Sequence, residues 1–181
     1  MMNNAIRISV VIPVYNSEKS IAELLSRISA ALEPVTSYEI ILVNDGSSDK
    51  SWEEILKHKK TYGEKLKAVN FTRNYGQHNA ILCGFSFCEG ELVATMDDDL
   101  QHPPEELIKL LEKQKQTDAD IVYGMYSKKH HSLLRNFGSR FMRKTSDYRS
   151  HNKGAGSSFR LIKNHLAKIM VEKHSAHFLF L

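Results

Sequence analysis

The chain has 181 residues, a hydrophobic content of 41%, a charged content of 25% and a formal net charge of +4. This length suits one domain with a substantial core, and the composition is that of an ordinary globular protein. No stretch approaches the roughly eighteen apolar residues that a membrane-spanning helix needs, and the amino terminus lacks the apolar core of a signal peptide. A cytoplasmic protein is therefore expected.

Charge is distributed unevenly along the chain. Residues 1–125 carry thirteen Lys/Arg and nineteen Asp/Glu, whereas residues 126–163 carry ten Lys/Arg and a single acidic residue, Asp147. The first part is therefore negative and the second strongly positive. A basic block suits an anionic partner such as a phosphate, a membrane surface or nucleic acid, but it also suits a solvated surface. Charge alone does not choose between these alternatives.

Apolar strands and amphipathic helices alternate along most of the chain. Short apolar runs predict strands, and apolar residues at helical spacing predict helices. Strands are predicted at 8–14, 38–43, 66–71, 92–96 and 121–123, and helices at 21–32, 51–58, 77–88 and 104–115. This alternation indicates an α/β fold with a Rossmann-like, mostly parallel sheet flanked by helices on both faces.

Polar segments follow four of these strands, at 13–16, 44–49, 72–76 and 97–99. Ligands of parallel α/β sheets bind at the carboxyl ends of the strands, so the four segments are expected to share one edge and form a site. The chain has neither a Gly-x-Gly-x-x-Gly loop after the first strand nor a Gly-Lys-Ser/Thr loop, which argues against dinucleotide-binding and P-loop proteins.

Residues 96–104 read Met-Asp-Asp-Asp-Leu-Gln-His-Pro-Pro and place three carboxylates between a strand and a helix. On an extended backbone, residues two apart point the same way, so Asp97 and Asp99 can converge while Asp98 faces elsewhere. Two carboxylates suit Mg²⁺ or Mn²⁺, whose remaining ligands come from phosphates and water. The alternative is an exposed acidic loop, and the three residues by themselves do not decide the matter.

Two further residues at strand ends are candidates for ligand binding. Asp45, beside Gly46 for a tight turn, can accept hydrogen bonds from a base or a ribose, and Asp49 can cap the next helix. Arg73 can contact a base or a phosphate. Taken singly, a capped turn and a solvated arginine explain these residues equally well.

Four segments, in this order, resemble the motifs of family-2 glycosyltransferases with a GT-A fold. They are Val-Val-Ile-Pro-Val-Tyr-Asn (10–16), Val-Asn-Asp-Gly-Ser-Ser-Asp (43–49), Arg-Asn-Tyr-Gly (73–76) and Met-Asp-Asp-Asp-Leu-Gln-His-Pro-Pro-Glu (96–105). The last motif and Gly-Ser-Ser-Phe-Arg-Leu (156–161) are most similar to dolichyl-phosphate mannose synthases and bacterial polyprenyl-phosphate glycosyltransferases.

The resemblance implies roles for individual residues. Asp97 and Asp99 match the catalytic metal ligands, with Asp99 the more direct of the two. Arg160 is expected on the acceptor side, and Arg135 joins it there as a cationic position of the basic block. The residues predicted to bind the nucleotide at positions that match the family are Pro13, Tyr15, Asp45 and Asp98. Arg73 and Gln101 lie beside these positions and are predicted to bind the nucleotide as well.

The function implied is inverting transfer of a sugar from a nucleotide diphosphosugar to a polyprenyl phosphate, with a UDP-sugar slightly preferred over GDP-mannose and with Mg²⁺ or Mn²⁺ as cofactor. A phosphate acceptor is already anionic and needs no catalytic base, whereas a hydroxyl acceptor does. Two alternatives stay open: transfer to a saccharide hydroxyl in cell-surface polysaccharide synthesis, and an inactive nucleotide-binding paralogue. Nucleic acid is not expected as a partner, and a homo-oligomer is possible.

The resemblance also suggests a use for the basic block. Leu134, Phe137 and Phe141 recur at helical spacing among cationic residues, a pattern typical of a helix lying on an anionic membrane surface, or of a core-packed helix with a basic outer face. We therefore predict a nucleotide-sugar-binding half at 1–125 and a basic acceptor-side or interfacial segment at 126–181. The expected location is the inner face of the membrane.

The chain departs from the subgroup at several positions. Ser17 stands where Glu is usual, and Tyr126 stands near the position of an Arg that follows the fifth strand. The later Arg-x-x-Gly-x-Ser-Lys element has no counterpart, and the chain stops at Leu181 within a helical pattern. An amino-terminal fragment of a longer protein is therefore expected.

Overall fold

The computed structural model describes residues 7–124 and 158–178, with side chains as far as residue 174. The strands are β1 (Ile8–Val14), β2 (Tyr38–Asn44), β3 (Leu66–Asn70), β4 (Leu92–Thr95), β5 (Ile121–Tyr123) and β6 (Arg160–Lys163). The helices are α1 (Ile21–Leu32), α2 (Ser51–Tyr62), α3 (Gln77–Phe85), α4 (Leu107–Thr117) and α5 (Asn164–Phe178), with short 3-10 turns at Gly63–Lys65 and Pro104–Glu106. Every element predicted between residues 8 and 123 is present.

The six described strands form one mixed sheet in the order β3-β2-β1-β4-β6-β5. Strand β1 pairs in parallel with β2 and β4, and β2 pairs in parallel with β3. Strand β6 runs antiparallel to both of its neighbours, β4 and β5. It was not predicted as a strand, because only Leu161 and Ile162 are buried between half-buried Arg160 and Lys163, which is too short a run to show a period.

Helices cover both faces of the sheet, as the alternation predicted. On one face, α1, α2 and α4 pack their apolar sides on alternate residues of the strands, for example Val10, Ile12 and Val14. On the other face, α3 and α5 pack against Val11, Ile41 and other residues of opposite parity. Strands β1 and β2 are buried along their whole length, which explains their predominantly apolar sequences.

The strand register aligns the carboxyl ends of the parallel strands. Val14 of β1 lies opposite Asn44 of β2, and Asn44 lies opposite Asn70 of β3. The polar segments that follow these strands therefore begin at the same edge of the sheet. Strand β6, from the predicted acceptor-side part, lies inside this sheet, while the functional division near residue 125 stays a prediction. Among residues 7–124 and 158–178, no helix has the length and apolar character needed to cross a membrane.

Candidate functional site

A pocket of about 380 Å³ opens at the edge where the parallel strands end. All four predicted polar segments contribute to it. Six of the predicted site residues line the pocket, whereas Arg73 and Gln101 are not in its lining. The lining residues are Pro13, Val14, Tyr15, Asp45, Asn74, Gly76, Gln77, Asp97, Asp98 and Asp99.

Asp45 fastens the segment after β3 to the end of β2. It is only 2% exposed. One carboxylate oxygen accepts the N–H of Tyr75 at 2.7 Å, and the other accepts the N–H of Gly76 at 2.9 Å. A carboxylate oxygen that accepts one hydrogen bond keeps a second lone pair, so Asp45 can both hold this loop and accept a hydrogen bond from a ligand.

Asp98 joins the end of β4 to the end of β1. Its Oδ2 accepts the Tyr15 N–H at 3.0 Å and the Ser17 hydroxyl at 2.5 Å. Burial raises the pKa of Asp98, and nearby Asp99 adds to this, while the hydrogen bonds from Ser17 and Tyr15 act in the opposite direction. Ser17, which stands out in the sequence only as a departure from the family pattern, is therefore a partner of the acidic motif.

Asp97 accepts hydrogen bonds on both of its carboxylate oxygens. The Gln77 amide donates to Oδ1 at 2.7 Å, and the Ser158 hydroxyl donates to Oδ2 at 2.5 Å. Asp99 is exposed, and its Oδ1 accepts the backbone N–H of Gln101 at 3.0 Å. Gln101 thus contacts the motif through its main chain.

Gln77 and Ser158 are functional candidates that the sequence reasoning missed. Gln77 is the first residue of α3, directly after the Arg-Asn-Tyr-Gly motif. Ser158 belongs to the Gly-Ser-Ser-Phe-Arg-Leu segment, in which only Arg160 was predicted to have a role. Proximity to those two motifs was the available signal.

The oxygen donors of this pocket fit a hard divalent cation. Mg²⁺ is usually bound by one or two carboxylates together with substrate phosphates and water. Asp97 and Asp99 can supply such carboxylates from one loop. Within the two described ranges, no group of three or more His, Cys, Asp and Glu side chains is arranged to hold a metal.

The remaining predicted residues lie around the pocket or outside the described part of the chain. Arg73 is exposed, and its guanidinium lies 4.9 Å from the centre of the Tyr75 ring. Arg160 starts β6 and pairs with Thr95, two residues before Asp97. Its Nε is buried and has no hydrogen-bond partner among the described residues. Tyr126, Arg135 and the amphipathic pattern of Leu134, Phe137 and Phe141 lie outside the described residues.

The order of motifs along the chain also fits one family profile. The profile described as Glycosyl transferase family 2 matches residues 9–174, which is most of the sequence and includes every described element of the pocket. The chain belongs to glycosyl transferase family 2. The predicted family is thus confirmed, and the mixed sheet with helices on both faces is its GT-A fold.

Curated relatives of this chain are named as undecaprenyl-phosphate transferases. The undecaprenyl-phosphate 4-deoxy-4-formamido-L-arabinose transferase of Aeromonas hydrophila is 41% identical over 167 residues, which cover 91% of this chain and 51% of the relative. The enzyme of the same name from Pseudomonas aeruginosa is 46% identical over 136 residues, covering 75% of this chain and 40% of the relative. The family-2 chain therefore spans about half the length of the curated relatives it matches.

Solved structures resemble this one at low sequence identity. The mannosyltransferase PcManGT from Pyrobaculum calidifontis, in complex with GDP-Man and Mn²⁺, has a TM-score of 0.66 at 20% identity and covers 91% of this chain and 46% of that one. S. aureus TarS 1-349, in complex with UDP-GlcNAc, has a TM-score of 0.63 at 23% identity, with coverages of 91% and 47%. At these identities the likeness supports the fold alone.

Proposed function

We propose that this protein is an inverting glycosyltransferase that moves a sugar from a nucleotide diphosphosugar to a polyprenyl phosphate. The observation that carries the proposal is the pocket at the strand ends, where the three consecutive carboxylates meet the segments that follow β1, β2 and β3. The names of the curated relatives support a polyprenyl phosphate acceptor of the undecaprenyl type.

In this proposal the nucleoside binds beside Pro13, Tyr15 and Asp45. The Tyr15 side chain is 50% exposed and offers an aromatic face to a base, while Asp45 can accept an N–H from it. These contacts suit uracil and guanine alike, and solved relatives of the fold hold UDP-GlcNAc or GDP-Man. We retain a slight preference for a UDP-sugar, which competition between UDP and GDP will test.

Asp97 and Asp99 are proposed to hold Mg²⁺ or Mn²⁺. When bound, the ion neutralises the charge that develops on the diphosphate as it leaves. Asp98 acts differently, since its Oδ2 holds the backbone of Tyr15 and the hydroxyl of Ser17. Its role is to hold the segment that follows β1, beside which the nucleoside binds, against the acidic motif.

The acceptor side is proposed to lie next to β6. A polyprenyl phosphate brings an anionic oxygen as the nucleophile, so the pocket needs no additional base. The buried Nε of Arg160 is a donor suited to a phosphate. The basic block that contains Arg135 would attract the same phosphate and an anionic membrane surface, which supports a proposed location at the cytoplasmic face of a membrane.

Calorimetry tests the donor half of the proposal. We expect UDP or GDP to bind the chain in a Mn²⁺-dependent manner, and Asp99→Asn to weaken that binding by about ten-fold or more, because a carboxylate ligand is lost. Asp118→Asn is the matched control, since it makes the same change at an exposed helix end and is expected to leave affinity unchanged. Metal-independent binding, or no binding, would contradict the metal assignment.

A transfer assay tests the acceptor half. We expect sugar to be transferred to undecaprenyl phosphate presented in liposomes. Transfer is expected to be faster when the liposomes contain anionic lipid, and high salt is expected to reduce this increase in rate. Transfer to a saccharide hydroxyl alone would overturn the acceptor assignment. Nucleotide binding without transfer to either acceptor would instead identify a binding protein.

A further inference from the structure

Two consecutive residues just before β6, Ser158 and Phe159, contact the first and last residues of the loop that carries the three aspartates. We define the metal loop as residues 97–102, between β4 and the 3-10 turn at Pro104–Glu106. At its first residue, Asp97 Oδ2 accepts the Ser158 hydroxyl at 2.5 Å. At its last residue, the His102 ring stacks on Phe159, with ring centroids 4.9 Å apart and an interplanar angle of 20°.

These two contacts come from a segment that is itself fixed. The Thr95 hydroxyl donates to the Ser158 carbonyl at 2.5 Å, and the Gly124 N–H donates to the Phe159 carbonyl at 2.9 Å. Phe159 is 2% exposed, and a Cβ on Gly124 would lie 2.1 Å from its Cδ1. Ser158 therefore presents its hydroxyl from a backbone that these contacts hold in place.

A second donor holds Asp97 from the opposite side. The Gln77 amide donates to Oδ1 at 2.7 Å, so each oxygen of the carboxylate accepts one hydrogen bond from a different element. Rotation of the carboxylate is thereby restricted. Each oxygen keeps a further lone pair, so these contacts orient the group without using up its capacity to bind a cation.

We propose that Ser158 is a positioning residue for the metal, and that Ser158 and Phe159 together brace the metal loop. The proposal rests on the function proposed above, in which Asp97 is a metal ligand. Outer groups that orient a metal ligand govern metal affinity, because a misoriented carboxylate must be reordered when the ion binds. Since Ser158 and Phe159 belong to the proposed acceptor-side segment at 126–181, the brace links that segment to donor binding.

Mn²⁺ binding provides a readout that does not depend on transfer activity. The free Mn²⁺ signal in electron paramagnetic resonance is titrated against the chain in the presence of UDP and, separately, GDP. We expect Ser158→Ala to weaken Mn²⁺ binding by about ten-fold, the lower end of what loss of such an outer group typically causes. Nucleotide affinity without metal and the melting temperature are expected to stay near those of the unsubstituted chain.

Two variants separate positioning from a general structural role. Ser158→Thr keeps the hydroxyl and is expected to restore most of the lost Mn²⁺ affinity. Gln77→Ala removes the opposite donor from an exposed position at the start of α3, so it tests the same effect if Ser158→Ala does not fold. Ser86→Ala is the control, because its hydroxyl is exposed and donates to the Leu82 carbonyl within the same turn of chain at 3.5 Å.

The binding measurements distinguish failure of the proposed brace from failure of the proposed function. Metal-dependent nucleotide binding that is equally strong in the unsubstituted chain, Ser158→Ala and Gln77→Ala would overturn the brace and leave the proposed function in place. Absence of metal-dependent binding in the unsubstituted chain would overturn the proposed function, and the brace with it.

Discussion

Gly46 illustrates how a residue without a side chain shapes the pocket. Its φ is +65°, and a Cβ at this position would lie 2.3 Å from the backbone carbon of Arg73. The segment after β2 therefore touches the segment after β3 directly. The same contact region includes Asp45, whose carboxylate accepts two backbone N–H groups from the second segment. The turn and its aspartate thus act together to close one wall of the pocket.

Replacing Gly46 tests this contact. Gly46→Ala adds a backbone clash to the cost of a left-handed residue, so we expect it to destabilise the fold by more than about 1 kcal/mol and to weaken nucleotide binding. Gly63→Ala is the control, because its φ is +55° and nothing lies within 4 Å of the added Cβ. Urea denaturation and UDP titration measure the two effects. Equal losses in both variants would refute the proposed contact.

A buried ion pair lies near the amino-terminal ends of β2 and β3, at the end of the sheet away from the pocket. Glu39 on β2 is fully buried, and the ammonium of Lys67 on β3 lies 2.7 Å from it. Ser9 and the N–H of Glu89 also donate to Glu39. Burial lowers the pKa of Lys67, but its hydrogen bonds to Glu39 and Glu89 outweigh this and raise it. This cluster fastens β1, β2, β3 and the turn before β4.

At the scale of elements, the distance between α3 and the sheet is set by Gly84. A Cβ there would lie 2.3 Å from Val11 Cγ1 and 3.4 Å from a Val43 methyl, and all three residues are buried. Helix α3 begins with Gln77 next to the pocket. The packing of α3 on β1 therefore affects the position from which the Gln77 amide donates to Asp97. The packing of a buried helix thus contributes to the geometry of the site.

Helix propensity and packing make opposite predictions for Gly84→Ala. Propensity favours alanine by about 1 kcal/mol, whereas overpacking a filled core costs about 1–3 kcal/mol. Because buried Val11 has little room to move, we expect net destabilisation in urea denaturation. In a Val11→Ala background the same change is expected to be neutral or stabilising. A destabilisation of the same size in both backgrounds would show that the Val11 contact is not its cause.

The element that sequence patterns did not reveal is β6. A four-residue strand with two buried residues carries little periodic signal. Its place between β4 and β5 is decided by pairing with residues far away in sequence, such as Val93 with Ile162. This pairing brings Ser158 to Asp97, and so the missed strand accounts for a missed site residue.

At the scale of the whole molecule, several surface carboxylates have lowered pKa values and are expected to contribute to the response to acid. The pKa of Glu105 is lowered by its hydrogen bonds from Arg27, and that of Glu33 by those from Lys65 and Tyr38. The pKa of Asp120 is lowered by Lys163. A lowered folded-state pKa stabilises the fold above the unfolded value and loses that contribution as pH falls through the folded value. Asp98, whose pKa is raised, acts in the opposite direction.

We therefore expect thermal stability to fall as the pH drops below the ordinary carboxyl values of 4.5 for Glu and 3.8 for Asp. Because these pairs are exposed, the loss is expected to be modest and to shrink in high salt. Glu105→Gln is expected to flatten the acid limb of the melting-temperature curve, whereas Glu112→Gln, on an exposed part of α4, is not. Parallel curves for the unsubstituted chain, Glu105→Gln and Glu112→Gln would exclude a role for the ion pair between Arg27 and Glu105.

The sequence by itself determined the order of elements, the helices on both faces and the edge where the site lies. These features follow from apolar periodicity and from polar residues at strand ends, which are local properties of the chain. It also determined the acidic motif, since Asp97, Asp98 and Asp99 directly follow a buried strand.

Only the tertiary structure decided which groups hold those carboxylates. Ser17 reaches Asp98 across 81 residues of sequence, and Ser158 reaches Asp97 across 61. A single serine hydroxyl leaves no periodic trace in a sequence, and its partner is fixed by strand pairing and helix packing elsewhere. The chemistry of the motif is therefore visible in the sequence, whereas its orientation depends on the fold.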